Sequence, residues 1–304
     1  MSKDIAQPTI SISDQLLSPG GDRTSLQRLQ KFLVLGRQNP LGAAGLVIIV
    51  TFVVVALFAP WIAPYDKDAL SGQVQEGISG SHIFGTDRVG RDIFSRLVFG
   101  SQISLSVAVL SVMGGGTIGM LIGIASGYFG GAVDSVIQRT VDTAIAFPPL
   151  LLLLIITQSL GPTVRTVVLA LMIAVIPGVT RVVRGAVLSE KQNQYIEAAR
   201  ASGAWAPRIL LRHILPNVVA LGIIVMTTLL GGIILAEAAL SFLGLGIPNA
   251  ASWGRDLSDS RQFLPYHLPA AIFPGAAITL TVLGFNLLGD SIRDIADPRL
   301  RGSR

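Results

Sequence analysis

Two carboxylates lie where a charge is costly, Glu237 within an apolar run from Val218 to Leu240 and Asp142 within another from Ile137 to Leu160. A charge deep in a bilayer costs about 2.5 to 3.5 kcal/mol on insertion scales, so such groups face a cavity or a partner. Both are therefore candidates for a translocation path or an outer gate, and each has a plainer reading beside it. Asp142 follows Arg139 by three residues, the spacing of an ion pair on a helix surface. Glu237 is near enough to the end of its run to reach water. Catalytic constellations are otherwise missing from the sequence. His82, His213 and His267 are far apart and form no H-E-x-x-H, and no G-x-S-x-G nucleophile elbow occurs. None of Lys3, Lys31, Lys67 and Lys191 follows the glycine of a phosphate-binding loop. Cysteine is absent, which removes thiolate chemistry, disulfides and cysteine-held metals. Gly114, Gly116 and Gly119 fit G-x-G-x-x-G, but no strand pattern precedes them and no acidic residue follows at a suitable distance, so dinucleotide binding is set aside.

The elements that carry these residues are membrane spans. Of the 304 residues 51% are hydrophobic and 13% charged, with a mean hydropathy of +0.64, more apolar side chain than a single soluble core requires. Crossing a hydrocarbon core of about 30 Å takes roughly 20 helical residues. Six runs qualify: Leu41–Ala59, Ile103–Tyr128, Ile137–Leu160, Val164–Val183, Val218–Leu240 and Ala270–Gly289. The expected fold class is an all-α integral membrane protein with six transmembrane helices. The first run begins well inside the chain and lacks a small-residue cleavage site, so it reads as a retained span rather than a signal peptide. With the N-terminus inside, the inner segments hold sixteen lysines and arginines and the outer ones seven, which satisfies the positive-inside rule. Both termini are then cytoplasmic. Trp61, Tyr65, Tyr128 and Tyr266 fall at span ends, where aromatic side chains favour the interface. The basic residues are scattered at span ends rather than gathered with aromatics on one face, which argues against nucleic acid.

Residues 1–24, rich in Ser, Asp, Gln and Pro with a Gly20-Gly21 pair, read as a disordered cytoplasmic tail. Residues 25–102 hold an interfacial helix that begins at Ser25, the first span and an outer amphipathic segment. In that segment Asp87, Arg91, Asp92 and Arg96 alternate with Ile93, Phe94 and Leu97, the pattern of a helix lying at the surface, where an ion-paired structural role is weighed against contact with solute. Residues 103–290 form a five-helix core, and 291–304 a cytoplasmic tail. Gly115, Gly119, Gly123 and Gly127 recur every four residues, a bare strip along which two helix backbones can pack closely. Pro148-Pro149 and Pro177-Gly178 interrupt the third and fourth spans, either as static kinks or beside a cavity.

Between two apolar runs lies a polar loop, residues 189–216, most of it within the stretch YIEAARASGAWAPRILLRHILPN from Tyr195 to Asn217. Good helix formers from Gln192 to Ser202 precede Gly203, which can end a helix with a positive φ, and Pro207 suits the first turn of a second helix. The result is two short helices joined by a glycine. Small side chains at Ala198, Ala199, Ala201, Ser202 and Ala204 admit close approach, and Glu197 offers a charge that registers a partner. An ordinary solvated loop is the alternative reading.

Glu197-Ala198-Ala199, Gly203 and Leu215-Pro216 resemble the EAA loop of membrane subunits in ATP-binding-cassette importers. His213 replaces the usual apolar residue two before the Leu-Pro pair, and the Arg-His-Ile-Leu-Pro-Asn run is similar to the peptide and nickel branch of these permeases. Phe84-Gly85-Thr86-Asp87 with Gly90-Arg91-Asp92 and Ser95-Arg96-Leu97 resembles the segment before the second span of their C-type subunit. Ala239 to Gly246 with Ser252-Trp253-Gly254 resembles the loop after the fifth span, and Asn286 to Asp290 with Arg293-Asp294 and Asp297 to Leu300 resembles the carboxyl end.

The resemblance implies a type I importer permease fold in a bacterial or archaeal cytoplasmic membrane. It implies that the loop is a coupling helix, with Glu197, Ala198, Ala199, Ala201, Ser202 and Gly203 as the contact to an ATPase. The implied partners are a second homologous permease, two cytoplasmic ATPase subunits, an extracytoplasmic solute-binding protein and membrane lipid. No cofactor is expected in this chain, ATP and Mg being held by the ATPases. The expected solutes are di- or oligopeptides, with nickel, glutathione or opine-like compounds as alternatives. An ion-coupled secondary transporter is the reading from another class, but such a carrier has no use for a large small-residue loop in the cytoplasm, and the halves of the chain show no clear symmetry.

Overall fold

The computed structural model describes residues 39–263 and 267–296, and among these the secondary structure is helical apart from two isolated bridges, Leu70 with Arg91 and Thr86 with Asp92. The expected tail, the interfacial helix from Ser25, Tyr266 and Asp297 to Leu300 lie outside the described residues. Five described helices are long and apolar enough to cross a membrane, or six if one bent pair counts as a span.

Helix α1 (Pro40–Leu57) starts on a proline, whose missing N–H costs nothing in a first turn, and carries no charged residue. A short turn α2 (Ala59–Ile62) follows. Residues 63–92 are irregular, and α3 (Ile93–Phe129) runs unbroken for 37 residues, about 55 Å at 1.5 Å per residue. The separate surface helix expected around Asp87 to Leu97 is not there. Gly85 and Gly90 hold φ of +81° and +90°, which ends any helix through them, and the Asp92 side chain accepts from the Ser95 N–H at 2.7 Å as the N-cap of α3. Residues 93–97 are the first turn of the second span.

The third span is broken. Helices α4 (Gly131–Ala146) and α5 (Pro149–Leu160) meet at 88°. A residue preceding proline is pushed out of the helical region, and here two such residues adjoin: Phe147 at ψ 133° before Pro148, and Pro148 at ψ 123° before Pro149. Pro177, by contrast, stays inside α6 (Val164–Glu190), which Thr163 caps by accepting from the Thr166 N–H.

The bare strip of α3 packs on α6 within the same chain. A Cβ at Gly115 would stand 2.5 Å from the Met172 carbonyl oxygen, at Gly119 2.8 Å from that of Ile176, at Gly123 2.7 Å from that of Thr180, and at Gly127 2.8 Å from Val187 Cβ. The Thr180 hydroxyl donates across the seam to the Gly119 carbonyl at 3.1 Å. Without a hydrophobic drive in lipid, this backbone contact supplies much of the pairing energy. A Gly119→Leu chain is accordingly expected to lose about 1–3 kcal/mol or more from overpacking. Gly232→Leu, at a glycine with open space beside it, serves as the control in a comparison of thermal midpoints in detergent.

After α7 (Gln194–Ala201) and α8 (Ala206–Ile209), a five-residue π stretch, Leu210–Ile214, leads into α9 (Leu215–Leu240) and a wide last turn, Ser241–Leu245, that Gly244 breaks at φ +88°. The first wide turn precedes Pro216, whose ring would clash with the carbonyl four residues back in a regular helix. Helix α10 (Trp253–Ser260) is capped by Ser252, and α11 (Pro269–Ala296) completes the bundle against α9 and α1. Residues 191–215 mark one end of the bundle, the loop end; residues 61–96, 241–263 and His267 mark the other, the cap end.

Candidate functional site

At the loop end, α7 is held to the bundle by Ile196, which is fully buried, and by Ala199, which is half-buried and packs on the same apolar cluster. Glu197, Ala198, Ala201, Ser202 and Gly203 are exposed. The helix ends in a Schellman turn: the Gly203 N–H donates to the Arg200 carbonyl at 2.9 Å, and the Ala204 N–H to that of Ala199 at 3.0 Å. Gly203 sits at φ +80° with nothing within 4 Å of where a Cβ would be. The conformation, not the space, calls for glycine there. Six sequence-derived residues thus lie together, five on the open face and Ala199 turned inward.

The knob is fastened at both ends. The Tyr128 hydroxyl, at the end of α3, donates to the Ala206 carbonyl at 2.6 Å. The Lys191 ammonium donates to the Gly127 and Tyr128 carbonyls at 3.2 and 2.9 Å, completing the C-terminus of α3. On the other side the Asn217 amide donates to Glu190 Oε1 at 2.8 Å and to the Tyr195 hydroxyl at 3.2 Å. The knob is thus bonded to α3 through Ala206 of α8 and to α9 through Tyr195 of α7, while Glu190 and Lys191 at the end of α6 tie that end to α9 and α3. Sequence reasoning missed these fasteners, and it missed Trp205, which is 68% exposed beside the turn. The signal for Trp205 was there to read: a large aromatic residue between a helix-ending glycine and Pro207, in a stretch of otherwise small side chains.

The two candidate carboxylates do not converge. Asp142 pairs with Arg181 of α6, not with Arg139, because α4 folds back along α6. The neighbouring pair repeats this, with Arg184 donating to both Asp134 oxygens at 2.5 and 2.6 Å. Glu237 does not reach water. It is 1% exposed at the cap end, with Oε1 accepting from the Ser241 hydroxyl at 2.8 Å and Oε2 from that of Ser104 at 3.4 Å. The loop over α9 covers it, and its hydroxyl shell offsets the cost of burial.

The cap end joins two segments far apart in sequence. Trp253 is fully buried in the notch left by Gly100, its indole N–H donating to the Leu97 carbonyl at 3.0 Å. Arg96 donates from Nε to Asp256 Oδ1 at 2.8 Å and from Nη1 to the Lys67 carbonyl at 3.2 Å. Burial pushes the Asp256 carboxyl above the usual carboxylate range, against the downward pull of the Arg96 guanidinium. Arg91 pairs with Asp87 at 2.6 Å and lies 3.5 Å from Asp259. Among the described residues no cluster of three His, Asp or Glu could hold a metal.

Residues 119–302 match the family described as binding-protein-dependent transport system inner membrane component. Residues 37–76 match the N-terminal TM domain of oligopeptide transport permease C. The dipeptide transport system permease protein DppC of Alkalihalophilus pseudofirmus is 38% identical over 304 residues, 99% of this chain and 100% of that protein. The glutathione transport system permease proteins GsiD of Escherichia coli O157:H7 and Shigella sonnei are each 42% identical over 269 residues, 88% of this chain and 89% of theirs.

Proposed function

The chain belongs to the binding-protein-dependent transport system inner membrane components, the permease components of ABC importers, and on that premise we propose that it moves short peptides by way of the fastened knob at its loop end. The loop end faces the cytoplasm, where each of two ATPase subunits takes up one knob, from this chain and from a second homologous permease. The cap end faces outward and receives solute from a binding protein. ATP and Mg are bound by the ATPases. Nucleotide-driven closure draws the knobs together, and the pull passes through Tyr128, Lys191 and Asn217 into α3, α6 and α9, opening the pair outward; hydrolysis resets it. A ligand shifts such an equilibrium only through its different affinities for the two states, so the knob contact must differ between them.

One observation carries this reading: an exposed small-residue helix, ended by a Schellman turn and bonded through Tyr195 to α9, leaves Glu197, Ala198, Ala201, Ser202 and Gly203 open on one face. Because the chain has no cysteine, a single Ala201→Cys is a clean cross-linking probe. It is expected to capture an ATPase subunit in membranes of the native complex, with yield changing on ATP addition. Capture of nothing from the cytosolic side overturns the placement. Trp205→Ala is expected to weaken ATPase association about tenfold, the scale on which interface aromatics act, as measured by co-purification titration.

The relatives named for dipeptide transport and for glutathione transport favour an extended solute with a peptide-like backbone, which both molecules share. Uptake of a labelled dipeptide competed by unlabelled glutathione, in cells carrying the complete transporter, separates the two; nickel and opine-like solutes serve as further competitors.

A further inference from the structure

At the cap end a small cavity is lined by Gln75, Asp87, Arg96, Asp256, Asp259 and His267, with apolar walls from α3 and α11. Its free space is about 30 Å³, room for one or two waters. Arg96 takes Asp256 Oδ1, but Asp256 Oδ2 has no partner among the described residues, and neither has His267 Nε2. Both groups are deeply buried, the Asp256 side chain 10% exposed and His267 7% exposed. They come from different elements, α10 and the turn before α11, and they line the same void. Buried polar atoms are normally paired, and two orphans facing one water-sized space point to an occupant.

We propose that this cavity is a ligand site for a hydrogen-bonding molecule of one heavy atom, water or an ammonium ion, that bridges Asp256 Oδ2 to His267 Nε2. Asp256 accepts from the ligand. His267 accepts from an ammonium ion, and accepts from or donates to a water according to its tautomer. A metal ion is not favoured, since among the described residues no group of three His, Asp or Glu side chains could hold one. The bridge ties the start of α11 to α10, and through Arg96 to α3, so three elements of the cap close on a bound molecule. This holds whichever solute the protein carries.

A dry void is the competing state, and it predicts the opposite sign for one substitution. In a dry cavity His267→Leu removes an unsatisfied nitrogen and raises the thermal midpoint; in an occupied one it strands the ligand and Asp256, and lowers it. The expected result, for the full chain purified in nanodiscs with its partner subunits, is a midpoint lower by about 2 to 4 °C, partly restored in His267→Gln. A map of the wild-type complex is expected to show a peak within hydrogen-bonding distance of both atoms. An unchanged or raised midpoint, or an empty cavity in the map, overturns the proposal, and the map alone decides if the variant cannot be purified. Exchange of sodium for ammonium salts assigns the occupant: a midpoint shift in wild type that His267→Leu abolishes identifies ammonium, and no shift identifies water.

Discussion

A Gly203→Val chain is expected to insert in the membrane at wild-type level and to support about a tenth or less of wild-type solute-stimulated ATP hydrolysis in vesicles holding the complete transporter. The reason is conformational. Gly203 sits at φ +80° with open space around its Cβ direction, so no clash is created. A β-branched residue there is nevertheless strained by about 1–3 kcal/mol, and the cheapest relief is to unwind the Schellman turn and swing α8 away from α7. One pKa unit's worth of free energy, about 1.4 kcal/mol, already means a tenfold loss of the docking-competent shape. Gly203→Asn, which tolerates the left-handed region, should retain most of the activity. Ala201→Trp separates shape from contact, because Ala201 is exposed and its replacement leaves the turn intact while holding a partner away. Ala199 is the poorer probe: it packs inward, so a bulky residue there disturbs the bundle as well as the surface. Wild-type hydrolysis by both Gly203→Val and Ala201→Trp would place the coupling contact elsewhere.

The second large effect concerns Arg96. Its side chain is 4% exposed, and its partner Asp256 lies 160 positions away. Removing one member of a buried pair leaves an uncompensated charge and typically costs about 3–5 kcal/mol, whereas replacing both with apolar residues of similar volume is often neutral. Arg96→Met should therefore lower the thermal midpoint sharply, and Arg96→Met with Asp256→Leu should recover most of the loss. The recovery is the informative measurement. If the double variant is as unstable as the single one, then the hydrogen bond to Lys67 and the nearby Asp68 carboxylate, 3.6 Å away, matter more than the pair with Asp256.

Much of the architecture was legible from local pattern. Hydropathy placed the spans, since a helix must satisfy its own backbone in lipid and only long apolar runs can cross. The glycine strip announced a close helix contact, and Gly203 with Pro207 announced two short helices around a turn, because positive φ and a proline ring are constraints a single residue imposes on its own backbone. The break in the third span is of this kind too. Two adjacent prolines were visible, but whether they would kink or fold the helix back depended on what α4 could gain, and the pairs Asp134–Arg184 and Asp142–Arg181 show the gain: α4 lies along α6 instead of continuing across.

By itself the sequence determined that this is a helical membrane protein, that five of the stretches are long and apolar enough to cross, and where a small-residue knob protrudes, since each follows from the chemistry of neighbouring residues within a turn or a span. Only the tertiary structure decided that the strip packs on α6, that Ala199 turns inward, that Arg96 belongs to Asp256 and that Glu237 is closed in by Ser104 and Ser241. Local spacing can show that a charge needs a partner, but the partner is set by which helices come within a few ångströms of each other, and that depends on the packing of the whole bundle.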